Sequence, residues 1–171
     1  YRNARTELVE IAMRAYEFHV AMCGPRERLP LFNDAAFGIA PAVTDLSRYG
    51  RRILGRAPEQ TGSEARILAF SDSGYYGVET VQDRFLIDCG PVGPDYQPGH
   101  THCDTLSFEL DVDGVPVVVD SGVHDYETGE MRRYVRSTAA HNTLRVDGEE
   151  QSEIWGAFRV GRRARPIYAD I

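Results

Sequence analysis

No lysine occurs in the 171 residues; all 19 basic side chains are arginine. Lysine-rich electrostatic tracking of nucleic acid is therefore absent, and a net charge of −7 argues against general nucleic-acid binding. Cysteine is scarce as well. Cys23, Cys89 and Cys103 are odd in number and irregular in spacing, with no CxxC, which excludes a disulfide framework and a thiolate zinc site. A buried, inert thiol on a strand is the expectation for Cys103. No apolar run approaches the roughly 18–20 residues a bilayer-spanning helix needs. No basic-plus-apolar start marks a signal peptide. Opening on Tyr1 and closing on "RPIYADI" suits an internal segment of a longer protein, for which a periplasmic or secreted location is compatible. Repeats and low-complexity tracts are also missing.

What is present changes period part-way along. In "ARTELVEIAMRAYEFHVAM", Leu8, Ile11, Ala12, Ala15, Phe18 and Met22 recur at helical spacing, and Gly24-Pro25 stops the pattern. Tyr16 and His19 read as helix packing. "TDLSRYGRRILG" predicts a second helix with Thr44 or Asp45 as cap and Gly55 as stop. "RAPEQTGSEA" is a linker composition. Beyond it apolar residues alternate. "RILAFSDSGYYGVET" predicts two strands, "RFLIDCG" a third, and "DTLSFELDVDGVPVVVDSG" a hairpin turning at Asp113-Gly114. "AAHNTLRVDG" and "IWGAFRVGRRARPIY" predict further strands. The fold class is thus mostly β, an antiparallel all-β piece, truncated at its end, over residues 63–171. A short α-helical segment precedes it over residues 1–62.

The chemistry gathers around "QPGHTHCDTLSFEL". At the mouth of a strand, His100 and His102 fall on one side, because side chains alternate with period two. The returning hairpin strand sets Asp120 beside His102 as a cross-strand neighbour. His141 starts the strand expected at "HNTLRV". His102, Asp120 and His141 would then be a three-ligand set for a divalent ion such as zinc. The competing reading is a chance HxH with a hydrogen-bonded His–Asp pair. A cupin-type site is disfavoured, since Leu106 and Ser107 occupy the place of its glutamate.

Taken together, "GHTHCDTLSFEL", "VVVDSGVHDYETGEMRRYVRSTAAHNTLRVDGEEQSEIW" and "GAFRVGRRARP" resemble the β-sandwich domain of heparinase II/III-like polysaccharide lyases. The shared pattern is H-x-H-x-D-x-x-S-F, D-S-G, R-x-Y-x-R-S-T-x-A-H-N and D-G-x-x-Q, in that order. The helical start with "LPLFNDAAFGIAP" resembles the end of the family's α/α toroid. The resemblance implies β-elimination on an acidic, uronate-containing polysaccharide, with no nucleic-acid or membrane partner. It implies a mainly structural zinc on His102, Asp120 and His141, and His100 facing substrate for proton transfer or carboxylate neutralisation. The toroid's own catalytic residues have no match here, so the chain alone would hold half an active site. Among its own residues, Tyr126 is the proton-transfer or substrate-contact candidate and Arg133 a carboxylate-gripping one; His124 is expected to be exposed. The rival readings are a non-catalytic, metal-clipped carbohydrate-binding sandwich and a metal-dependent hydrolase.

Overall fold

The computed structural model describes residues 2–56 and 65–167. Most of the "RAPEQTGSEA" linker, and with it the expected domain boundary, lies outside them. Helix α1 (Arg2–Cys23) and helix α2 (Val43–Leu54) come first. Five strands follow: β1 (Arg66–Phe70), β2 (Tyr75–Glu79), β3 (Arg84–Asp88), β4 (Phe108–Val112) and β5 (Val115–Val118). They form one antiparallel sheet in sequence order. A short helix α3 (Glu130–Val135) and a hairpin of β6 (Ile154–Gly156) and β7 (Arg159–Val160) complete the described chain.

The β4–β5 turn runs through Asp113 and Gly114, both at positive φ, the conformation that favours Asp-Gly in tight hairpins. Period-two alternation in β3 puts Arg84, Leu86 and Asp88 on the buried side of the sheet. There Leu68 and Leu86 meet Ala21 and Met22 of α1 and Phe32 of the following loop in one apolar core. Helix and sheet thus share a core. Arg84 reinforces the join by donating through Nη2 to the carbonyls of Ala21 and Met22 at the end of α1, groups a helix leaves unpaired. Of the expected α1 stripe only Phe18 and Met22 are covered; Leu8, Ile11, Ala12 and Ala15 are exposed.

Helix α2 stops at Gly55 in the left-handed conformation, as its sequence predicts, but its N-cap is Ala42, with Asp45 in the first turn. It lies on α1 through Tyr16, whose hydroxyl donates to the Ser47 carbonyl at 2.8 Å. A Cβ on Gly50 would sit 2.6 Å from the Tyr16 ring, so the approach requires glycine.

One expected strand is corrected. "AAHNTLRVDG" forms a 3₁₀ turn (Thr138–Ala140) and irregular chain. Side chains take over the work of a ladder. Asn142 Nδ2 donates to the carbonyls of Phe108 and Val119, and Thr143 and Gln151 both donate to the Thr105 carbonyl. With these acceptors filled from side chains, the segment runs beside β4 without backbone pairing.

The loop Leu31–Ala35 is clasped against the sheet's end. Arg28 pairs with Glu109 at 2.9 Å and Asp111 at 2.8 Å, and Leu31 N donates to Glu109 at 2.7 Å. Val123 N donates to the Ala35 carbonyl at 3.1 Å. Beside it the glycine of Asp120-Ser121-Gly122 has φ +59, and a Cβ there would come within 2.3 Å of Ala35 O. Replacing Gly122 by Ala is expected to cost roughly 2–3 kcal/mol, from backbone strain together with a backbone clash. Gly148 has φ +77 but open space around it. Gly148→Ala should therefore cost only about 1 kcal/mol. Urea denaturation of the two variants measures the difference, and equal losses would remove the close-approach argument.

Candidate functional site

Asp34, in the loop after α1, is the hub of the site. Its carboxylate accepts both terminal nitrogens of Arg132, the Nη2 bond being 2.9 Å. It also meets His102 Nε2 at 2.7 Å and His100 Nδ1 at 2.9 Å. Burial alone would raise the Asp34 pKa, but hydrogen bonds from His102 and Arg132, and then from His100, outweigh it. They hold the carboxyl well below the usual range. An ionised carboxylate only accepts, so the proton of each bridging imidazole sits on the nitrogen facing Asp34.

The neighbouring Asn33, at φ +53, extends the hub. Its side-chain oxygen accepts from His102 N at 3.3 Å, and its own backbone N donates to Asp104 at 3.1 Å. The two histidines do converge from one side, although neither is on a strand. His100 ends a 3₁₀ turn (Pro98–His100), and residues 101–107 form a loop before β4. Leu106 at φ +66 and a Ser107 N to Asp104 O bond shape that loop.

The expected pairing of Asp120 with His102 across the hairpin is therefore corrected. Ser107 faces Asp120, donating to Oδ2 at 2.6 Å. Asp120 also binds His141 Nδ1, at 2.9 and 3.0 Å. Among the described residues, the group with metal-ligand spacing is His102, Asp104 and His141, whose candidate donor atoms lie within 4.8 Å of one another. His102 Nδ1 and His141 Nε2 are buried and have no hydrogen-bond partner. Two lone pairs turned toward a buried carboxylate suit a divalent ion, and the opposite nitrogen of each ring is anchored on its own carboxylate, Asp34 or Asp120. The residues fit the metal: Asp104 joins the two histidines at ligand spacing, and Asp120, the carboxylate expected there, lies against Nδ1 of His141.

Electrostatics separates the two rings. Burial lowers the His102 pKa beyond what Asp34 restores, keeping the ring neutral. For His141 burial also pulls downward, but the Asp120 hydrogen bond and charge prevail and raise it. Burial raises the Asp104 carboxyl.

His100 is the exposed member, its side chain 61% accessible. Tyr126 lies edge-on to it with ring centres 5.9 Å apart, so the structure brings these two expected residues together. Burial, then the Asp34 charge, raises the Tyr126 phenol, which stays protonated at neutral pH. Arg133 is turned to solvent, and among the described residues no partner holds it. Its neighbours are the structured arginines. Arg132 lies on Asp34, and Arg136 donates to the carbonyls of Thr101 at 2.8 Å and Gly156 at 2.7 Å. The i, i+4 spacing of R-x-Y-x-R was the signal for this pair, since it puts both on one helix face. Asp34 carried no such signal. His124 is exposed, and Cys103 is buried with Sγ on the Ser152 carbonyl at 3.3 Å, in the loop before β4.

A cavity of about 430 Å³ borders His100 and is lined in part by Asn33, Tyr75, Asp88 and Gln97. Burial, then the Asp104 charge, raises the Asp88 pKa to about 7.

Residues 63–169 match the family model for the heparinase II/III-like C-terminal domain. The chain belongs to this polysaccharide lyase family. Its fold is similar to a heparinase III crystal structure, at TM-score 0.57 and 17% identity, covering 84% of this chain and 26% of that one. It is also similar to a methylated heparinase III (TM-score 0.53, 20% identity, 74% and 23% covered). A third likeness is to a heparan sulfate lyase from Pedobacter heparinus (TM-score 0.50, 20% identity, 79% and 24% covered). At such identities the likeness is one of fold, and the chain spans about a quarter of each of these structures. No curated protein matches the chain. Among the described residues no helix is long and apolar enough to cross a membrane.

Two predictions follow from the buried carboxylates. Asp34→Asn keeps the shape and removes the charge that Arg132 faces, so a loss of roughly 3–5 kcal/mol is expected at pH 7. The depressed Asp34 pKa makes its contribution present above the unfolded value near 4 and lost as pH falls toward the folded one. The gap between wild type and Asp34→Asn should accordingly narrow on acidification in denaturant titrations; a pH-independent gap would contradict the charge argument. Asp88 has the opposite sign. Its native form keeps a proton up to about 7 while the unfolded chain releases it near 4, so stability falls as pH rises between them. Asp88→Asn should gain on wild type between pH 5 and pH 8 by roughly 1–3 kcal/mol.

Proposed function

We propose that this chain is the C-terminal part of a lyase that cleaves a uronate-containing, acidic polysaccharide by β-elimination. The observation that carries the reading is His100, exposed at the surface while Asp34 fixes its Nδ1. The protonated Nδ1 leaves Nε2 with a lone pair on the open side of the ring. That is the arrangement of a general base, which a purely structural histidine beside a metal has no need of. Its exposure, with the candidate metal ligands buried beneath, favours proton transfer over metal-activated hydrolysis and over a non-catalytic binding module.

In the reaction, His100 Nε2 takes the proton from C5 of the uronate. The C–H pair becomes the C4=C5 double bond, and the C4–O bond breaks. The departing oxygen takes a proton, for which the Tyr126 phenol, kept protonated beside His100, is the donor within this chain. No water is consumed. The C5 proton becomes acidic only when the adjoining carboxylate is neutralised. Arg132 is committed to Asp34, so Arg133 is the arginine of α3 free for that task, with the rest of the protein supplying further donors. A zinc-like ion held by His102, Asp104 and His141 would supply a structural tie between the loop before β4 and the chain around His141. Asp34 and Asp120 orient its imidazoles.

The test uses the complete protein that carries this chain, offered heparan sulfate, alginate and other uronans, with ultraviolet absorbance of the unsaturated product followed in time. Product is expected on at least one polymer, and His100→Ala should lower kcat by about 10²–10⁴-fold. Hydrolysis without unsaturated product would overturn the reading. For the metal, elemental analysis should show loss in His102→Ala and Asp104→Asn. Asp120→Asn should retain the ion with affinity weakened roughly 10–100-fold. Loss of metal from Asp120→Asn with full retention in Asp104→Asn would exchange the roles of the two carboxylates.

A further inference from the structure

We infer that Tyr126 and Phe158 form a flat platform on which a pyranose ring of the glycan stacks, one sugar away from His100. The two rings lie 16° from parallel with centres 6.3 Å apart. The guanidinium carbon of Arg132 is 5.2 Å from the Tyr126 centre and 5.4 Å from that of Phe158. The guanidinium lies over both ring faces, and for rings 16° from parallel this puts it on one side of both. Arg132 is 1% exposed, so that side is the inner one. Tyr126 is 42% and Phe158 43% exposed, so their other faces meet solvent.

The cation fixes both rings from below, and the segment around Phe158 is fixed as well. Arg132 Nε donates to the Ala157 carbonyl at 3.2 Å, and Arg136 to the Gly156 carbonyl. A Cβ on Gly99 would lie 3.8 Å from Phe158 Cβ, so the β6–β7 hairpin rests directly on the turn that carries His100. His100, Tyr126 and Phe158 are consecutive along the surface, at spacings of 5.9 and 6.3 Å. A rigid, outward apolar face rimmed by a phenol hydroxyl complements the C–H face of a pyranose, whose hydroxyls point to the edges. Ordering two rings that are already held costs little conformational entropy on binding.

The inference rests on the reading of this site as glycan-directed, and it assigns to Phe158 a role in binding alone. The experiment is calorimetric binding of a heparan sulfate hexasaccharide, an alginate hexasaccharide and cellohexaose to the complete protein in a His100→Ala background, which prevents turnover. Phe158→Leu keeps an apolar cover over Arg132 but removes the flat face; Phe158→Tyr restores it. Affinity for the bound hexasaccharide should fall about three- to tenfold in the Leu variant and recover in the Tyr variant, and thermal unfolding read in parallel separates loss of the Arg132 contact from loss of binding. Equal affinity in all three proteins, or no hexasaccharide bound by any, would overturn the platform while the elimination assay still decides the lyase reading. Ring-dependent binding of cellohexaose alone would keep the platform and overturn the uronan preference.

Discussion

The carboxylate of Asp34 is the constraint on which the rest of the site depends. It is buried, ionised and surrounded by nitrogen donors from Arg132, His100 and His102. A carboxylate taken from water is tolerable only when such donors replace its hydration. Here the donors come from α3 and from the turn and loop before β4, while Asp34 itself comes from the loop that leaves α1. Meeting that one charge therefore docks the helical segment, orders the loop before β4, and orients α3. It also sets the chemistry of two imidazoles by deciding which nitrogen carries the proton.

From that decision the division of labour between His100 and His102 follows. Both turn a protonated nitrogen to Asp34, and both consequently have a lone pair on the far side. For His102 the far side is buried, facing His141 and Asp104, so the lone pair suits a metal. For His100 it is open, so the lone pair suits a substrate proton. Burial, not residue type, distinguishes a candidate ligand from a candidate base two positions away. The arginines of α3 and its C-cap work by the same economy: Arg132 serves Asp34 on one side and two aromatic rings on the other, while Arg136 gathers carbonyls from the Pro98–Thr101 turn and the β6–β7 hairpin.

Local rules made much of the fold legible. Period-two alternation located β1 to β5, Asp113-Gly114 located the hairpin turn, and Gly55 located the end of α2. The segment from His141 to Val146 alternates like a strand, yet side-chain amides and hydroxyls occupy the carbonyls it runs past. Backbone pairing patterns do not register that competition. The HxH pair was visible as a pair, but the group that unites it is distant in sequence and sits in a loop whose residue types, Asn33 and Asp34, are ordinary turn formers. Asp104 and Arg132 stood inside the quoted motifs without a role of their own; the loop before β4 leaves the strand and brings Asp104 beside His102 and His141, and α3 turns Arg132 in to Asp34 and leaves Arg133 out in solvent.

Asp34 and Asp120 impose the proton placement on which both imidazole roles rest. Nitrogen-15 NMR of the imidazole rings in the metal-free protein, at a pH above the histidine titrations, reads it directly. It should show His100 protonated on Nδ1, His102 on Nε2 and His141 on Nδ1. His102 protonated on Nδ1, or His100 carrying its proton on Nε2, would contradict it.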